Sequence, residues 1–280
     1  MNQTVFLLLG LLGIVGIGSL VSSNDDDESL DPPPDDPFGG RQLTEGTDEA
    51  DTLVGTDEDE AFQSFDGNDL VSAGGGNDLV WTGYGDDTVT ADAGDDEIYL
   101  GYDDDLYGAY DLGADEGNDT IDGGYGDDTI ITNSGNHSIT GGDDDDTIID
   151  NGGTVYIDGE EDDDLILSPD ASDPDAPDTL LGGEGNDTIH AGANDIVDAG
   201  DGSDLIVLRS DAGGAAVVTY GSSDRITVTL AEDYTGEEEY ELVQEGDDVQ
   251  LVVNGEVLAV LKATQVDDVG GINLVREQTT

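Results

Sequence analysis

An aspartate returns every nine residues through the middle of this 280-residue chain, each time behind a run of glycines. The unit reads Gly-Gly-x-Gly-x-Asp-x-U-x, with U apolar, and is clearest at residues 123–131 (GGYGDDTII) and 182–190 (GGEGNDTIH). Glycines reach backbone conformations that side chains forbid, so the first half of each unit can curl with its carbonyl oxygens turned towards one point. The aspartate then adds a charged oxygen. Two such turns stacked one above the other surround a hard cation with about six oxygens, which suits calcium at about 2.3–2.6 Å. Magnesium demands a tighter octahedron and keeps its water, and zinc prefers nitrogen and sulfur.

Other chemistry finds no footing. The two histidines, His137 and His190, lie far apart, so a paired-histidine metalloprotease helix is excluded, and no Gly-x-Ser-x-Gly nucleophile elbow occurs. Carboxylate pairs occur everywhere along the chain, and that abundance removes their value as a sign of acid–base catalysis. The glycine turns carry aspartates where a phosphate loop needs bare amides and a lysine. The expectation is a protein that is not an enzyme, with His190 a bland strand residue next to Ile189. Trp81, Tyr84, Tyr99, Tyr102, Tyr107, Tyr110 and Tyr125 cluster along the early repeats. They suit strands on structural grounds, and they could also stack sugars or meet a partner protein.

The elements that hold these aspartates follow from the second half of the unit, a short strand with U as its single inward residue. U is apolar in all sixteen units, at Leu53, Phe62, Val71, Val80, Val89, Ile98, Tyr107, Ile121, Ile130, Ile139, Ile148, Ile157, Ile166, Ile189, Val197 and Ile206. The units form three blocks, 46–108, 114–167 and 182–207, with residues 109–113 and the proline-bearing 168–181 read as loops that leave the stack. One buried aliphatic residue per nine is a small return for ordering nine residues. Stacked aspartates would add repulsion, so cation binding must contribute folding free energy.

These repeats resemble the RTX (repeats in toxin, or hemolysin-type) calcium-binding family, over about the middle 160 residues. The resemblance implies an all-β fold, a right-handed parallel β-roll solenoid in which two nonapeptides make one coil and calcium lies in rows along both edges. Carried over position by position, the metal ligands are Asp51, Asp69, Asp78, Asp87, Asp96, Asp105, Asp119, Asp128, Asp146, Asp164, Asp187, Asp195 and Asp204. Partner turns lie two units apart, so Asp69 is expected to share an ion with the turn of Asp87, and Asp78 with that of Asp96. About eight to ten calcium ions follow if well-formed turns pair in this way. Position six departs to Glu60, His137 and Val155, and position four loses glycine at Glu49, Glu58, Asp103, Asp144 and Asp162. His137 and Val155 fall on one edge of the middle block, which is expected to have lost sites while the edge of Asp128, Asp146 and Asp164 keeps them. Asp143, Asp144 and Asp145 read as solvated surface. The first two units read as a degenerate cap, with occupancy strongest over residues 65–105 and on one edge of the middle block.

Seventy acidic residues against five basic ones give a formal charge of −65, which argues against nucleic acid and anionic membrane surfaces as partners. With no cysteine, stapling must come from metal. Residues 1–23 contain an uncharged run, 5–21, expected to form a hydrophobic helix that is either a membrane anchor or a cleaved secretion signal. Residues 24–45 are an acidic, proline-rich linker, 46–207 the roll, and 208–280 a C-terminal β cap with a strand at 225–230 and a hairpin at Asn254-Gly255. The leading expectation is a calcium-binding repeat protein, exported from a bacterium to the cell surface or beyond and folding there. The alternatives are a calcium-stiffened adhesin or matrix spacer presenting its C-terminal β region to a cell-surface protein or glycan, and a carbohydrate-binding module. Relatives in the family use a C-terminal type I secretion signal, from which the hydrophobic N-terminus departs.

Overall fold

The computed structural model describes residues 38–108, 117–169, 177–232, 234–236 and 238–276. The hydrophobic segment 1–23, residues 24–37 of the acidic linker, the whole of the first insertion and residues 170–176 of the second lie outside the described residues. The chain divides into a short unit, residues 1–42, and a long one, residues 43–280. In the first, the described part is a turn in which the Arg41 amide donates to the Phe38 carbonyl at 3.0 Å.

The long unit is a parallel β-roll. It has two sheets, one of 13 strands and one of 11 among the described residues; up to Arg225–Leu230 the strands alternate between them and each pairs with the strand two places before it in the chain. A parallel partner cannot be reached by a tight turn, so the chain crosses to the opposite sheet and back before it pairs again. That round trip is 18 residues, two nonapeptides. Register is locked residue to residue: Ile121, Ile139, Ile157, Leu180 and Val197 stack in the first sheet. Ile130, Ile148, Ile166, Ile189 and Ile206 stack in the second. All sixteen expected position-eight residues are buried, Leu53 the most exposed at 8%.

Position eight is not the single inward residue. Strands such as Thr120–Tyr125 and Glu97–Tyr102 bury their second and fourth residues. The fourth is position one of the following unit, occupied where it is not glycine by Ala73, Ala91, Leu100, Ala191 or Ala199, or by the polar Ser64, Thr82, Thr132 or Asp150. A strand side chain alternates faces, so the residue two places beyond U must also point inward.

The second insertion is shorter than expected. Strand Thr179–Gly185 pairs with Tyr156–Glu161, and Leu180 is fully buried, so residues 178–181 belong to the stack and not to a loop. Amide-to-carboxylate bonds that span 18 residues elsewhere span 23 across each insertion, so each adds five residues. Within residues 208–280 the sheets of the roll continue. Strand Arg225–Leu230 pairs in parallel with Leu205–Arg209, and Ile272–Arg276 pairs with Arg225–Leu230, so the second sheet runs on past residue 207. The first sheet ends in Glu256–Lys262, Asp248–Val253 and Tyr240–Glu245, the last two pairings antiparallel. The hairpin at Asn254 and Gly255 has both residues at positive φ, 52° and 83°, as an Asn-Gly turn requires.

Candidate metal site

Each turn delivers its position-six side chain to one of two edges, and the edges differ. Along the edge that leads into the second sheet, the Asp51 amide donates to Asp69 Oδ1 at 2.7 Å, and the Asp69 amide to Asp87 Oδ1 at 2.7 Å. The ladder runs on without a gap through Asp105, Asp128, Asp146, Asp164, Asp187 and Asp204, at 2.7–3.1 Å. One oxygen of each carboxylate is thereby committed to backbone. The other, Oδ2, is buried and has no hydrogen-bond partner in Asp69, Asp87, Asp105, Asp128, Asp146, Asp164, Asp187 and Asp204. Buried polar atoms almost always find partners, so eight orphans in one file mark a missing positive centre.

Glycine at position one shows where that centre lies. A Cβ on Gly141 would sit 2.3 Å from Asp146 Oδ2 and 2.9 Å from the Gly159 carbonyl oxygen. The same overlap recurs at Gly123 with Asp128, Gly159 with Asp164 and Gly182 with Asp187, at 2.5, 2.0 and 2.3 Å. A carboxylate oxygen and the carbonyl of the next coil thus converge on a point that glycine leaves open. Hard oxygens, one of them anionic, around a small opening fit a calcium ion. No three His, Cys, Asp or Glu side chains gather as a metal cluster among the described residues, because each turn contributes one carboxylate and the backbone supplies the remainder.

Electrostatics point the same way. Burial pushes the carboxyls of Asp87, Asp128, Asp164 and Asp204 up to about 7, Asp146 to about 8 and Asp105 to about 9, and neighbouring aspartates add to the rise in each. Holding one such group ionised at neutral pH costs on the order of 4 kcal/mol for a rise of about three units. A divalent cation removes that cost.

The other edge is broken. Asp78 and Asp96 repeat the ladder, with the Asp78 amide on Asp96 Oδ1 at 2.7 Å and the Asp96 amide on Asp119 Oδ1 at 2.9 Å. The Asp119 amide then meets His137 Nδ1 at 3.2 Å, and the imidazole stands where a carboxylate oxygen would. Tyr107 donates to Asp119 Oδ2 at 3.3 Å. Val155 carries no acceptor. At Asp195 the Oδ2 oxygen accepts from the Gly192 amide at 2.5 Å, so a protein donor takes the cation's place. The first turns are closed similarly, since Thr47 caps Asp51 Oδ2 through its amide at 2.7 Å and the Thr56 amide caps Glu60 at 2.6 Å.

Two aspartates of the position-six columns escaped the sequence reading. Asp178 Oδ1 accepts from the Val155 amide at 2.8 Å, and the Asp178 amide donates to Asp195 at 3.0 Å. Asp224 precedes the strand that extends the second sheet and keeps a buried Oδ1 without a partner. Both carry the readable signal Asp-x-U, in Asp178-Thr179-Leu180 and Asp224-Arg225-Ile226, without the glycines before it. A second ladder also went unread. Position five accepts from the coil after it: the Asp145 amide donates to Asp127 Oδ1 at 3.3 Å, the Asp163 amide to Asp145 at 3.0 Å and the Asn186 amide to Asp163 at 2.7 Å. Asp145 is therefore exposed, as expected, but it is also part of the turn scaffold. At position four, Asp103, Asp144 and Asp162 adopt the positive φ of the glycine they replace, at 76°, 81° and 71°.

The family model for the RTX calcium-binding nonapeptide repeat (4 copies) matches residues 45–80, 63–98, 81–109, 114–136, 140–168 and 175–206. Its last match takes in Asp178. No curated protein matches the chain. Among solved structures, the extracellular lipase LipA from Serratia marcescens is similar at 14% identity and a TM-score of 0.23, over 82% of this chain and 39% of that one. The chain thus spans about two fifths of the lipase's length, and at that score the likeness bears on neither fold nor function.

Proposed function

Since the chain belongs to the family of RTX calcium-binding nonapeptide repeats, we propose that it is a non-enzymatic, exported protein whose roll folds on calcium at the cell surface or outside the cell. The observation that carries this is the file of eight buried Oδ2 atoms without a protein partner along one edge. Built without cations, the file sets buried anions one coil apart. Calcium is what makes the folded state affordable at neutral pH. Repeated sites of this kind belong to the weak end of calcium affinity, about 10⁻⁴–10⁻³ M, and would stay empty where calcium is scarce. Export in an unfolded state followed by folding outside is consistent with that range. The best-formed sites are those of Asp128, Asp146, Asp164 and Asp187, where position one is glycine; Ser64, Thr82 and Leu100 narrow the openings beside Asp69, Asp87 and Asp105. Occupancy is therefore expected to be highest along the unbroken edge of residues 123–187, with about eight ions on that edge if every orphan is met.

The aromatic cluster gives the carbohydrate-binding reading little support. Tyr84, Tyr102 and Tyr125 stack on one another with ring centroids 4.5 and 5.0 Å apart, and Trp81 stacks on Tyr99 at 6.0 Å. Faces spent on neighbouring rings are not available to a sugar, and a structural role in stacking the first sheet accounts for them. The test of the main reading is far-ultraviolet circular dichroism in chelator and then in millimolar calcium, joined to calorimetric titration. A β spectrum that appears only with calcium, at a stoichiometry of several ions, is expected. A fully formed β spectrum in chelator, or one or two ions only, would overturn it.

A further inference from the structure

Along the broken edge, position one carries a polar side chain in three successive coils: Thr132, Asp150 and Ser168, exposed by 0, 1 and 0%. Elsewhere on that edge the same place holds Ala73, Ala91 and Ala191. The three coils are those whose sixth positions are His137, Val155 and the displaced Asp178. Asp150 Oδ1 accepts from Thr132 Oγ1 at 2.8 Å, whereas its Oδ2 is buried with no hydrogen-bond partner. In the next coil Ser168 Oγ donates to Asp178 Oδ2 at 2.6 Å, and Ser168, the Asp178 carboxylate, the Gly152 amide and His137 all lie close enough to Asp150 to act on its charge.

The turn that begins at Asp150 has kept its stacked form. Gly152 and Gly153 have φ of 151° and 127°, and a Cβ on Gly153 would fall 1.9 Å from the Gly135 carbonyl oxygen. The turn stays stacked at position four, but its positive φ falls at positions three and four where regular turns have it at two and four, and the carboxylate stands at position one in place of position six. A buried carboxylate with one oxygen unmet persists only if a proton or a cation neutralises it. Two carboxylates with hydroxyls between them are hard oxygen donors, the set that calcium selects.

We propose that Asp150 rebuilds on this edge the calcium site that Val155 cannot form, with Asp178 of the next coil facing the same ion across Ser168. The inference rests on the calcium-binding reading above and refines it, since the edge expected to have lost its sites keeps one in altered form. The test compares the full chain with its Asp150→Asn variant, counting bound calcium by calorimetry and following thermal unfolding in saturating calcium. Asparagine keeps the shape and the bond to Thr132. Loss of one ion from the wild-type count, with a lower unfolding midpoint in calcium, is expected. An unchanged count and midpoint would mean a merely protonated, hydrogen-bonded carboxyl and would overturn the inference. Should D150N fail to fold, the double variant D150G/V155D returns the carboxylate to position six. It should fold with the wild-type count, and a folded double variant that binds one ion more than wild type overturns the idea, because Asp150 then held none. A wild type that binds no calcium sinks the family-level function instead, so the two failures are distinguishable.

Discussion

The two oxygens of each buried aspartate on the unbroken edge have different surroundings: Oδ1 closes the neighbouring turn by accepting its amide, and Oδ2 is left without a protein partner. A carboxylate is the only side chain that can do both. Asp146→Asn should therefore keep the ladder bond, lose one calcium ion and destabilise the calcium-loaded roll by roughly 1.5–3 kcal/mol. Its neighbour Asp145, exposed and in the outer ladder, should tolerate asparagine within about 0.5 kcal/mol and with no change in ion count. Urea melts in saturating calcium, with calorimetric stoichiometry, separate the two. Equal losses at 145 and 146 would contradict the assignment of the inner file as the ligands. Gly141→Ala tests the opening itself, because its Cβ would lie 2.3 Å from Asp146 Oδ2 and narrow the space for the ion, as Ser64 does beside Asp69. Weaker calcium binding at that turn is expected from the same titration. The inner file was largely legible because the glycines announced it. Asp178 was not, because the residues before it are prolines and acids in place of glycines.

A single coil is two strands and two turns, and it cannot stand alone. Its inward residues, at positions eight and one, continue those of the coils above and below, so the core is one column shared along the roll. Leu180 belongs to that column at full burial although its surroundings read as a loop. Leu180→Ala should cost about 2–5 kcal/mol, the range for a buried leucine in any core. Ile148→Ala in the undisputed stack provides the comparison in the same calcium-saturated urea melts. A cost below about 0.5 kcal/mol at Leu180 would return residues 178–181 to the loop. Position eight was readable from periodicity. Position one was not, since a glycine or alanine at the head of a turn gives no sign of which way it points.

For the whole molecule, a formal charge of −65 couples folding to both calcium and protons. Carboxyls raised to about 7–9 in the folded chain have an ordinary value near 4 when it is unfolded. A raised folded-state value contributes stability that is complete below about pH 4 and is lost as pH rises through 7 to 9. In chelator, acidification from pH 8 to 5 should therefore move the chain towards the folded roll. With calcium the order reverses, because protons compete for the same oxygens, and the midpoint of calcium-driven folding should shift to higher calcium as pH falls below about 7. Circular dichroism across both series checks the pair of trends. A chelator series flat between pH 8 and 5, or a calcium midpoint indifferent to pH, would contradict the linkage.

Periodicity by itself determined the calcium chemistry, the position-eight column and the assignment of His137 and Val155 to one edge, because each depends on spacing along the chain. Tertiary structure decided what depends on closure between coils. It showed that the second insertion, like the first, adds five residues, that the sheets continue past residue 207, and that Thr47, Tyr107 and Gly192 donate to carboxylates the family pattern would reserve for metal. It also placed Asp150 beside Asp178. Those outcomes turn on which donor reaches an oxygen first, and that is a matter of distance across coils, which a one-dimensional repeat does not record.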